Sequence, residues 1–145
     1  MVKEAYIDNL DSIVNIVKAY REFYGVEQQK EEEVKLFLKT RLENNQSKIF
    51  IAINKEEKVV GFIQLYPSYS TVSLKPQWIL NDFFVHPDYR HQGYGQALMN
   101  FVKDYFNNKA KGFILVTDKD NLTAKAFYAH NGWKTDEYDF YTFFY

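Results

Sequence analysis

The chain contains no cysteine and carries almost no net charge. The absence of thiols excludes disulfide bonds, thiolate metal sites and a cysteine nucleophile. A formal net charge of −1 over 145 residues gives no overall attraction to nucleic acid or to an anionic membrane. Charged residues interrupt the first twenty positions and no apolar run approaches the roughly 20 residues that span a bilayer. We therefore expect a soluble, cytoplasmic protein that binds neither nucleic acid nor membrane.

The histidines also fail to form a metal-binding pattern. The chain has only three, His86, His91 and His130, and none of them stands in the HxxxH spacing that places two imidazoles on one helix face. We therefore predict no metal site.

Aromatic residues are plentiful, with 13 Phe, 12 Tyr and 2 Trp to fill a core or line a cleft. The length suits one domain over residues 1–145, and hydrophobic periodicity predicts a mixed α/β order, β-α-α-β-β-β-α-β-α-β-β. The predicted strands are residues 2–7, 48–54, 59–66, 78–85 and 112–116, followed by two strand-like pieces within 133–145. The predicted helices run from Asp8 to before Gly25, and over residues 28–42, 96–107 and 121–130.

A glycine-bearing loop, Arg90-His91-Gln92-Gly93-Tyr94-Gly95, lies between a predicted strand and a predicted helix. Such a loop turns several backbone N–H groups toward one point, at the positive end of a helix dipole. The two glycines let the backbone approach a bulky anion without a Cβ in the way. The loop therefore predicts a site for phosphate oxygens.

Two segments of the second half resemble the signatures of the GNAT superfamily of N-acetyltransferases. Residues 85–98 are similar to its acetyl-CoA loop, in which Arg or Gln precedes two residues, Gly, one residue, and Gly or Ala. Asn121 followed by residues 126–133 resembles its second signature, in which an Asn precedes a helix that ends in Phe-Tyr, then Gly and an aromatic residue. The two segments stand in the family's order and at its usual separation, and the resemblance covers about residues 78–133.

The resemblance implies a mostly antiparallel GNAT-like sheet in which two neighbouring strands, residues 78–85 and 112–116, splay apart. Acetyl-CoA as co-substrate would enter that wedge, with its pantetheine arm paired to backbone groups of Phe84 and Val85. The pyrophosphate would be held by Arg90 and by the amides of His91, Gln92, Gly93, Tyr94, Gly95 and Gln96. Asn121 would bond the pantetheine arm, and since Asn is a favoured N-cap it can also cap its helix.

Acetyl transfer to an amine requires two proton movements. The amine must be neutral when it attacks, although a free alkylammonium has a pKa of ~10.4. The departing thiolate then needs a proton, and Tyr128 occupies the position that supplies it in many relatives. For the base, Asn81 and Asp82 are the only polar residues of their strand. Side chains alternate along a strand, so the two are expected on opposite faces. Asp82 is the candidate if its face is the cleft face, and a water relay to solvent is the alternative.

The acceptor is less defined by the sequence. Residues 66–72 and 78–85 resemble the spermidine/spermine and diamine acetyltransferase branch, although Asn81 replaces the first acid of that branch's acidic pair. Tyr66, Tyr69 and Trp78 are candidate aromatic walls for an amine, with Asn81 beside them. Peptide or protein N-termini and amino-acid-like amines stay open as acceptors.

Two other functions compete with a small-amine N-acetyltransferase. One is a catalytically silent acyl-CoA-binding regulatory module. The other is a nucleotide-phosphate enzyme, which would require either a Gly-Lys-Ser/Thr ending or a further glycine and a ribose-binding acid, whereas Gln96-Ala97 follows the loop. Independently, residues 138–145 are aromatic on both faces of a predicted strand, and a strand buried on both faces needs a second partner. We therefore expect a homodimer that uses this segment.

Overall fold

The computed structural model describes all residues from 1 to 145, which form two compact units, Met1–Leu115 and Val116–Tyr145. The strands of the first unit are β1 (Val2–Ala5), β2 (Lys48–Ile53), β3 (Val59–Ser70), β4 (Lys75–Val85) and β5 (Gly112–Ile114). Its helices are α1 (Leu10–Phe23), α2 (Glu31–Glu43) and α3 (Tyr94–Phe106). The second unit contains one helix, α4 (Leu122–His130). No helix combines the length and apolar character needed to cross a bilayer.

The five strands form one sheet in the order β1-β2-β3-β4-β5. Every neighbouring pair is antiparallel except β4 and β5, which are parallel and joined through α3. The mixed, mostly antiparallel sheet predicted from the sequence is confirmed, including the hairpin of β2 and β3.

Helices cover both faces of the sheet, because β2 and β3 carry buried apolar residues on both sides. Ile49 and Ile51 of β2 belong to the core that includes Leu10, Ile13 and Leu38 of the α1 and α2 side. Phe50, between them, points the other way and its ring packs against Phe101, Tyr105 and Phe106 of α3. The sheet is therefore buried on both sides and its strand positions are fixed by packing.

A β-bulge interrupts the pairing of β3 and β4. Gln64 pairs with Asp82, and the next residue of β3, Leu65, pairs with Leu80, so Asn81 is the extra residue. A bulge bends its strand and changes the direction of nearby side chains. The irregularity lies at the two polar residues of β4, so strict alternation of side chains does not hold there.

The second unit differs from the sequence-based expectation. Helix α4 begins as predicted, because the Asn121 side chain accepts a hydrogen bond from Ala124 N at 3.1 Å, and it is followed by Gly132 at φ 85°. The two strands predicted within residues 133–145 do not form. A strand requires a neighbouring strand to bond its N–H and C=O groups, and this unit contains none. The aromatic side chains of residues 138–145 are exposed instead.

Candidate active site

The edge of β4 is open over half its length. Strand β5 pairs only with residues Gln77, Trp78 and Ile79 of β4, which leaves the stretch from Leu80 to Val85 without a strand on that side. The N–H and C=O groups at such an edge are a template for an added extended chain. The splayed strand pair expected from the sequence is therefore present.

The alternation of hydrogen bonds along β4 decides which residues face this open edge. His86 N donates to Val60 O at 2.8 Å, so this pair is hydrogen-bonded across β3 and β4. Hydrogen-bonded pairs recur every second residue of an antiparallel ladder, so Phe84 also directs its N–H and C=O toward β3. Phe83 and Val85 direct theirs to the open edge. The expectation that Phe84 offers its backbone is therefore corrected to Phe83, whereas the role of Val85 toward the pantetheine arm stays a prediction.

The loop after β4 ends in a glycine that starts α3. Gly93 has φ 88° and precedes the first helical residue, Tyr94. The amides of Tyr94 and Gly95 lie in the first turn and have no intrahelical acceptor, and no acidic side chain stands in that turn. His91 also has a positive φ, of 60°. The loop thus presents donors and the positive end of a helix dipole to an anion.

Arg90 fixes the loop to the end of β4. Its Nε donates to Val85 O at 2.9 Å, and its guanidinium carbon lies 4.7 Å from the centre of the Phe23 ring and 5.8 Å from that of Phe84. The side chain is therefore held at both the strand and the end of α1. It orients the loop as well as adding a positive charge beside it.

A cavity of about 460 Å³ lies between α1, α2 and the sheet. Its apolar walls come from two helices and β3, namely Val17, Tyr20, Val34, Phe37, Leu38 and Phe62. Its polar lining comes from Arg21, Glu33, Gln64, Tyr66, Asn81 and Asp82. The Arg21 guanidinium already donates a hydrogen bond to Gln29 O at 2.7 Å. Apolar walls with acidic groups suit a cation that carries a hydrocarbon chain.

Asp82 sits at the centre of the polar lining. Its Oδ2 accepts hydrogen bonds from Gln64 Nε2 at 2.8 Å and from Asn81 Nδ2 at 3.1 Å. The expectation that Asn81 and Asp82 face opposite sides is therefore wrong: the bulge brings both into the same cavity. The two donors orient the carboxylate and leave its other oxygen for a further partner.

The predicted aromatic wall is divided between two places. Tyr66 lines the large cavity, where burial, together with the negative charge of Asp82, raises the pKa of its hydroxyl to about 12. Tyr66 therefore stays protonated at neutral pH and can donate a hydrogen bond. Tyr69 and Trp78 instead line a smaller depression of about 180 Å³ beside Tyr105 and Phe106 of α3. The expectation that all three rings border one amine site is therefore corrected to Tyr66 alone.

Comparison with known proteins decides the family. Residues 12–133 match the model of the acetyltransferase (GNAT) family. The chain belongs to the GNAT family of acetyltransferases. It is 40% identical over 136 residues to the Bacillus subtilis (strain 168) protein described as uncharacterized N-acetyltransferase YhfO, covering 93% of this chain and 90% of that one.

Further relatives of this acetyltransferase agree. A probable acetyltransferase of Haemophilus influenzae (strain KW20 / Rd) is 32% identical over 117 residues, which is 81% of this chain and 74% of that one. A solved structure of a probable acetyltransferase superposes with a TM-score of 0.92 at 34% identity, over 99% of this chain and 96% of the other. The chain is therefore an N-acetyltransferase with the fold of that family.

Two predicted site residues of the acetyltransferase lie in the second unit. Asn121 caps α4, as its residue type indicates, and the Tyr128 ring packs against the Trp133 ring at 5.6 Å between centroids. The roles of Asn121 toward pantetheine and of Tyr128 as an acid stay predictions from the sequence signature.

Sequence reasoning missed three polar residues of the cavity, Arg21, Glu33 and Gln64. Gln64 is 4% exposed, and it interrupts the otherwise apolar run of β3 from Val59 to Leu65. That interruption is a usable signal, since a polar residue inside a buried strand needs a partner. Glu33 belongs to a run of three glutamates at a helix start, and no sequence signal distinguishes it from Glu31 and Glu32.

Proposed function

We propose that this acetyltransferase moves the acetyl group of acetyl-CoA to a small primary amine, either a diamine or a polyamine. The observation that carries the proposal is the position of Asn81 and Asp82. They line the cavity on the α1 and α2 side, and they belong to the stretch of β4 whose edge has no strand partner. An acceptor in the cavity and a thioester along that edge would meet at these residues.

The residues of the open edge and of the loop fit acetyl-CoA. Backbone groups of Phe83 and Val85 would pair with the amides of the pantetheine arm, and the amides that start α3 would hold the pyrophosphate. Bound acetyl-CoA supplies an activated acyl carbon and a thiolate leaving group. The chain's own residues then bind, orient and move protons around it.

The transfer needs a balanced exchange of protons. A C–N bond forms as the neutral amine attacks the carbonyl carbon, and the C–S bond breaks. The nitrogen loses one proton, which we assign to the free oxygen of the Asp82 carboxylate, and the sulfur gains one, which we assign to the Tyr128 hydroxyl. Asp82 is oriented for this by the two amides that donate to its other oxygen.

The charges of the cavity favour an acceptor with two positive ends. Glu33 and Asp82 are separate carboxylates on α2 and β4, and aromatic rings lie among the lining residues of the same cavity. A methylene chain would lie against Tyr20 and Phe62, with one nitrogen at Asp82 and a second cation toward Glu33.

A thiol-release assay tests the function directly. The chain is incubated with acetyl-CoA and, separately, with diamines, polyamines, amino acids and short peptides. We expect turnover with diamines or polyamines and little with amino acids, whose carboxylate would face Asp82. Turnover confined to peptides would instead favour a peptide or protein N-acetyltransferase. Binding of CoA without turnover of any amine would favour the silent regulatory module.

We also propose that the protein forms a homodimer through residues 138–145. Tyr138, Phe140, Phe143 and Phe144 are between 72% and 87% exposed. Adjacent exposed aromatic side chains of this kind mark interaction surfaces. Light scattering at micromolar concentration should give twice the chain mass, and a double change of Phe143 and Phe144 to Ser should give the monomer. A monomeric wild-type protein would contradict the assembly.

A further inference from the structure

The smaller depression of about 180 Å³ lies on the opposite face of the sheet from the acidic cavity, and the proposed acetyl transfer does not use it. Lys48 belongs to the α3 face, because it alternates along β2 with Ile49, whose side chain faces α1 and α2. We call this site the α3 depression. The residues that decide its chemistry are Lys48, Tyr69, Trp78, Tyr105, Phe106 and Lys109.

Aromatic rings give the α3 depression a continuous apolar surface. The ring centroids of Trp78 and Tyr105 lie 4.8 Å and 4.9 Å from that of Phe106. Phe106 is only 4% exposed, so it anchors the other two rings. Tyr69 borders the same depression and is 77% exposed, so most of its ring surface is available to a ligand. Rings held in this way favour contact with another flat ring.

Two ammonium groups stand at the same aromatic surface. Lys48 Nζ lies 5.4 Å and Lys109 Nζ 4.1 Å from the centre of the Tyr105 ring. Lys48 also pairs with Glu4 Oε1 at 2.8 Å, whereas Lys109 has no carboxylate partner. No acidic residue lines the depression, in contrast to the cavity that holds Glu33 and Asp82. The α3 depression therefore favours an anion.

Charge and size together define the class of ligand. The ammonium groups of Lys48 and Lys109 and the carboxylate of Glu4 leave a net charge of +1, which one monoanion neutralises. A phosphate ester carries about −1.5 to −2 at neutral pH and would exceed that charge. Pockets for drug-sized ligands measure about 300–1,000 Å³, so the smaller volume of this depression suits a single ring rather than a nucleotide.

We propose that the α3 depression binds a small aromatic carboxylate, a single ring that bears one carboxylate group. The ring lies against Trp78 and Tyr105, and the carboxylate accepts hydrogen bonds from the ammonium groups of Lys48 and Lys109. Lys109 contributes most of the attraction, because Glu4 already offsets the charge of Lys48. The proposal is independent of the acetyl-transfer proposal, since binding requires neither acetyl-CoA nor an acceptor amine.

Calorimetric titration of the wild type, Lys109→Gln and Lys111→Gln with benzoate, benzamide and acetate tests the site. Lys111 is the matched control, because it is an exposed lysine two residues further along the chain that does not line the depression. Benzamide keeps the ring without the charge, and acetate keeps the charge without the ring. Glutamine removes the ammonium charge from an exposed position, so both variants should fold as the wild type does.

We expect benzoate to bind the wild type and Lys111→Gln with a Kd of about 1 mM or tighter, which ligands of this size reach. Lys109→Gln should weaken benzoate binding about threefold to fivefold, as expected for the loss of an exposed charge pair. Benzamide should bind more weakly than benzoate and equally in all three proteins. Equal affinities for benzoate and benzamide, unchanged benzoate binding in Lys109→Gln, acetate binding as tight as that of benzoate, or no benzoate binding would each overturn the proposal.

Tryptophan fluorescence tests where the ligand binds. The chain has two tryptophans, Trp78 and Trp133, so Trp133→Phe leaves Trp78 as the only one. Benzoate should change the emission of Trp78 with the Kd found by calorimetry. The wild type should show the same change, displaced to about threefold to fivefold higher benzoate concentration in Lys109→Gln, so the result does not depend on the folding of Trp133→Phe. Calorimetric binding without a change in tryptophan emission would overturn the assignment to the α3 depression.

Discussion

Arg90 Nε donates to the backbone oxygen of Val85 at 2.9 Å, which ties the first residue of the glycine loop to the last residue of β4. The same side chain stacks on Phe23 at 4.7 Å. The arginine of the signature therefore has a structural role in positioning the loop, in addition to its charge. Because the loop carries the amides that start α3, a shift of Arg90 would move the proposed phosphate donors.

Arg90→Met should raise KM for acetyl-CoA and lower the free energy of unfolding by about 1 kcal/mol, since it removes one hydrogen bond and the contacts of the guanidinium with the Phe23 and Phe84 rings. Arg41→Met is the control, because Arg41 Nε donates to Gln46 at 2.7 Å and its guanidinium stacks on Phe37 at 4.7 Å, away from the loop. Steady-state kinetics measures KM for acetyl-CoA in the two variants, and urea unfolding measures their free energy of unfolding. A similar rise of KM in the two variants would contradict a loop-specific role.

Gly93→Val should abolish measurable binding of acetyl-CoA. Gly93 has φ 88°, and no heavy atom lies within 4 Å of the position that a Cβ would occupy. The strain is therefore in the backbone, and the added side chain stands where the phosphate would approach. Gly25→Val is the control, with φ 86° and equally open surroundings between α1 and α2. Both should cost about 2 kcal/mol of stability. Calorimetry should show lost affinity in Gly93→Val alone; retained affinity there would mean that the loop is misassigned.

Tyr66 should make the wild type lose stability at alkaline pH. Burial and the charge of Asp82 raise the pKa of its hydroxyl from 10.0 to about 12 in the folded protein. Between these two pKa values the folded state keeps the proton and the unfolded chain releases it. The contribution of Tyr66 to the free energy of unfolding is therefore complete below pH 10 and decreases as pH rises toward 12. Urea unfolding between about pH 9 and pH 11 should show a steeper decrease for the wild type than for Tyr66→Phe. Tyr69→Phe, an exposed position, should follow the wild type. If the free energy of unfolding falls equally with pH in the wild type and in Tyr66→Phe, the raised pKa of Tyr66 is contradicted.

Tyr128→Phe should lower kcat by about 10²-fold with little change in KM for acetyl-CoA, because only the proton for the leaving thiolate is removed. Tyr6→Phe, which deletes an exposed hydroxyl bonded to Glu4, is the control and should leave kcat unchanged. Thiol release under saturating acetyl-CoA measures the effect. An unchanged kcat in Tyr128→Phe would remove this residue as the acid.

Local sequence signals are sufficient to predict most of the fold. The alternation of β2 and β3 around a polar turn predicts the hairpin, and the apolar run ending at Val85 followed by the glycines predicts β4, the loop and α3. The residue type of Asn121 predicts the cap of α4. Each of these depends on neighbours within a few positions in the chain.

Features that depend on pairing between distant segments are not predictable in the same way. The bulge at Asn81 arises from the register of β4 against β3, and it places Asn81 and Asp82 in one cavity. Gln64 can be assigned a partner only from the register that places Asp82 opposite it. The strands expected after Trp133 require a partner strand that the local pattern does not supply.

The most direct test of the account is the rate of thiol release from acetyl-CoA with 1,4-diaminobutane in wild type, Asp82→Asn and Asp11→Asn. Asp11 is the control, since it is an exposed carboxylate paired with Lys35 at 3.1 Å outside the cavity. We predict that Asp82→Asn lowers kcat/KM for the amine by about 10²-fold or more, with an unchanged KM for acetyl-CoA, and that Asp11→Asn behaves as the wild type. Wild-type turnover in Asp82→Asn would contradict the account, because the cavity would then not be where the amine loses its proton.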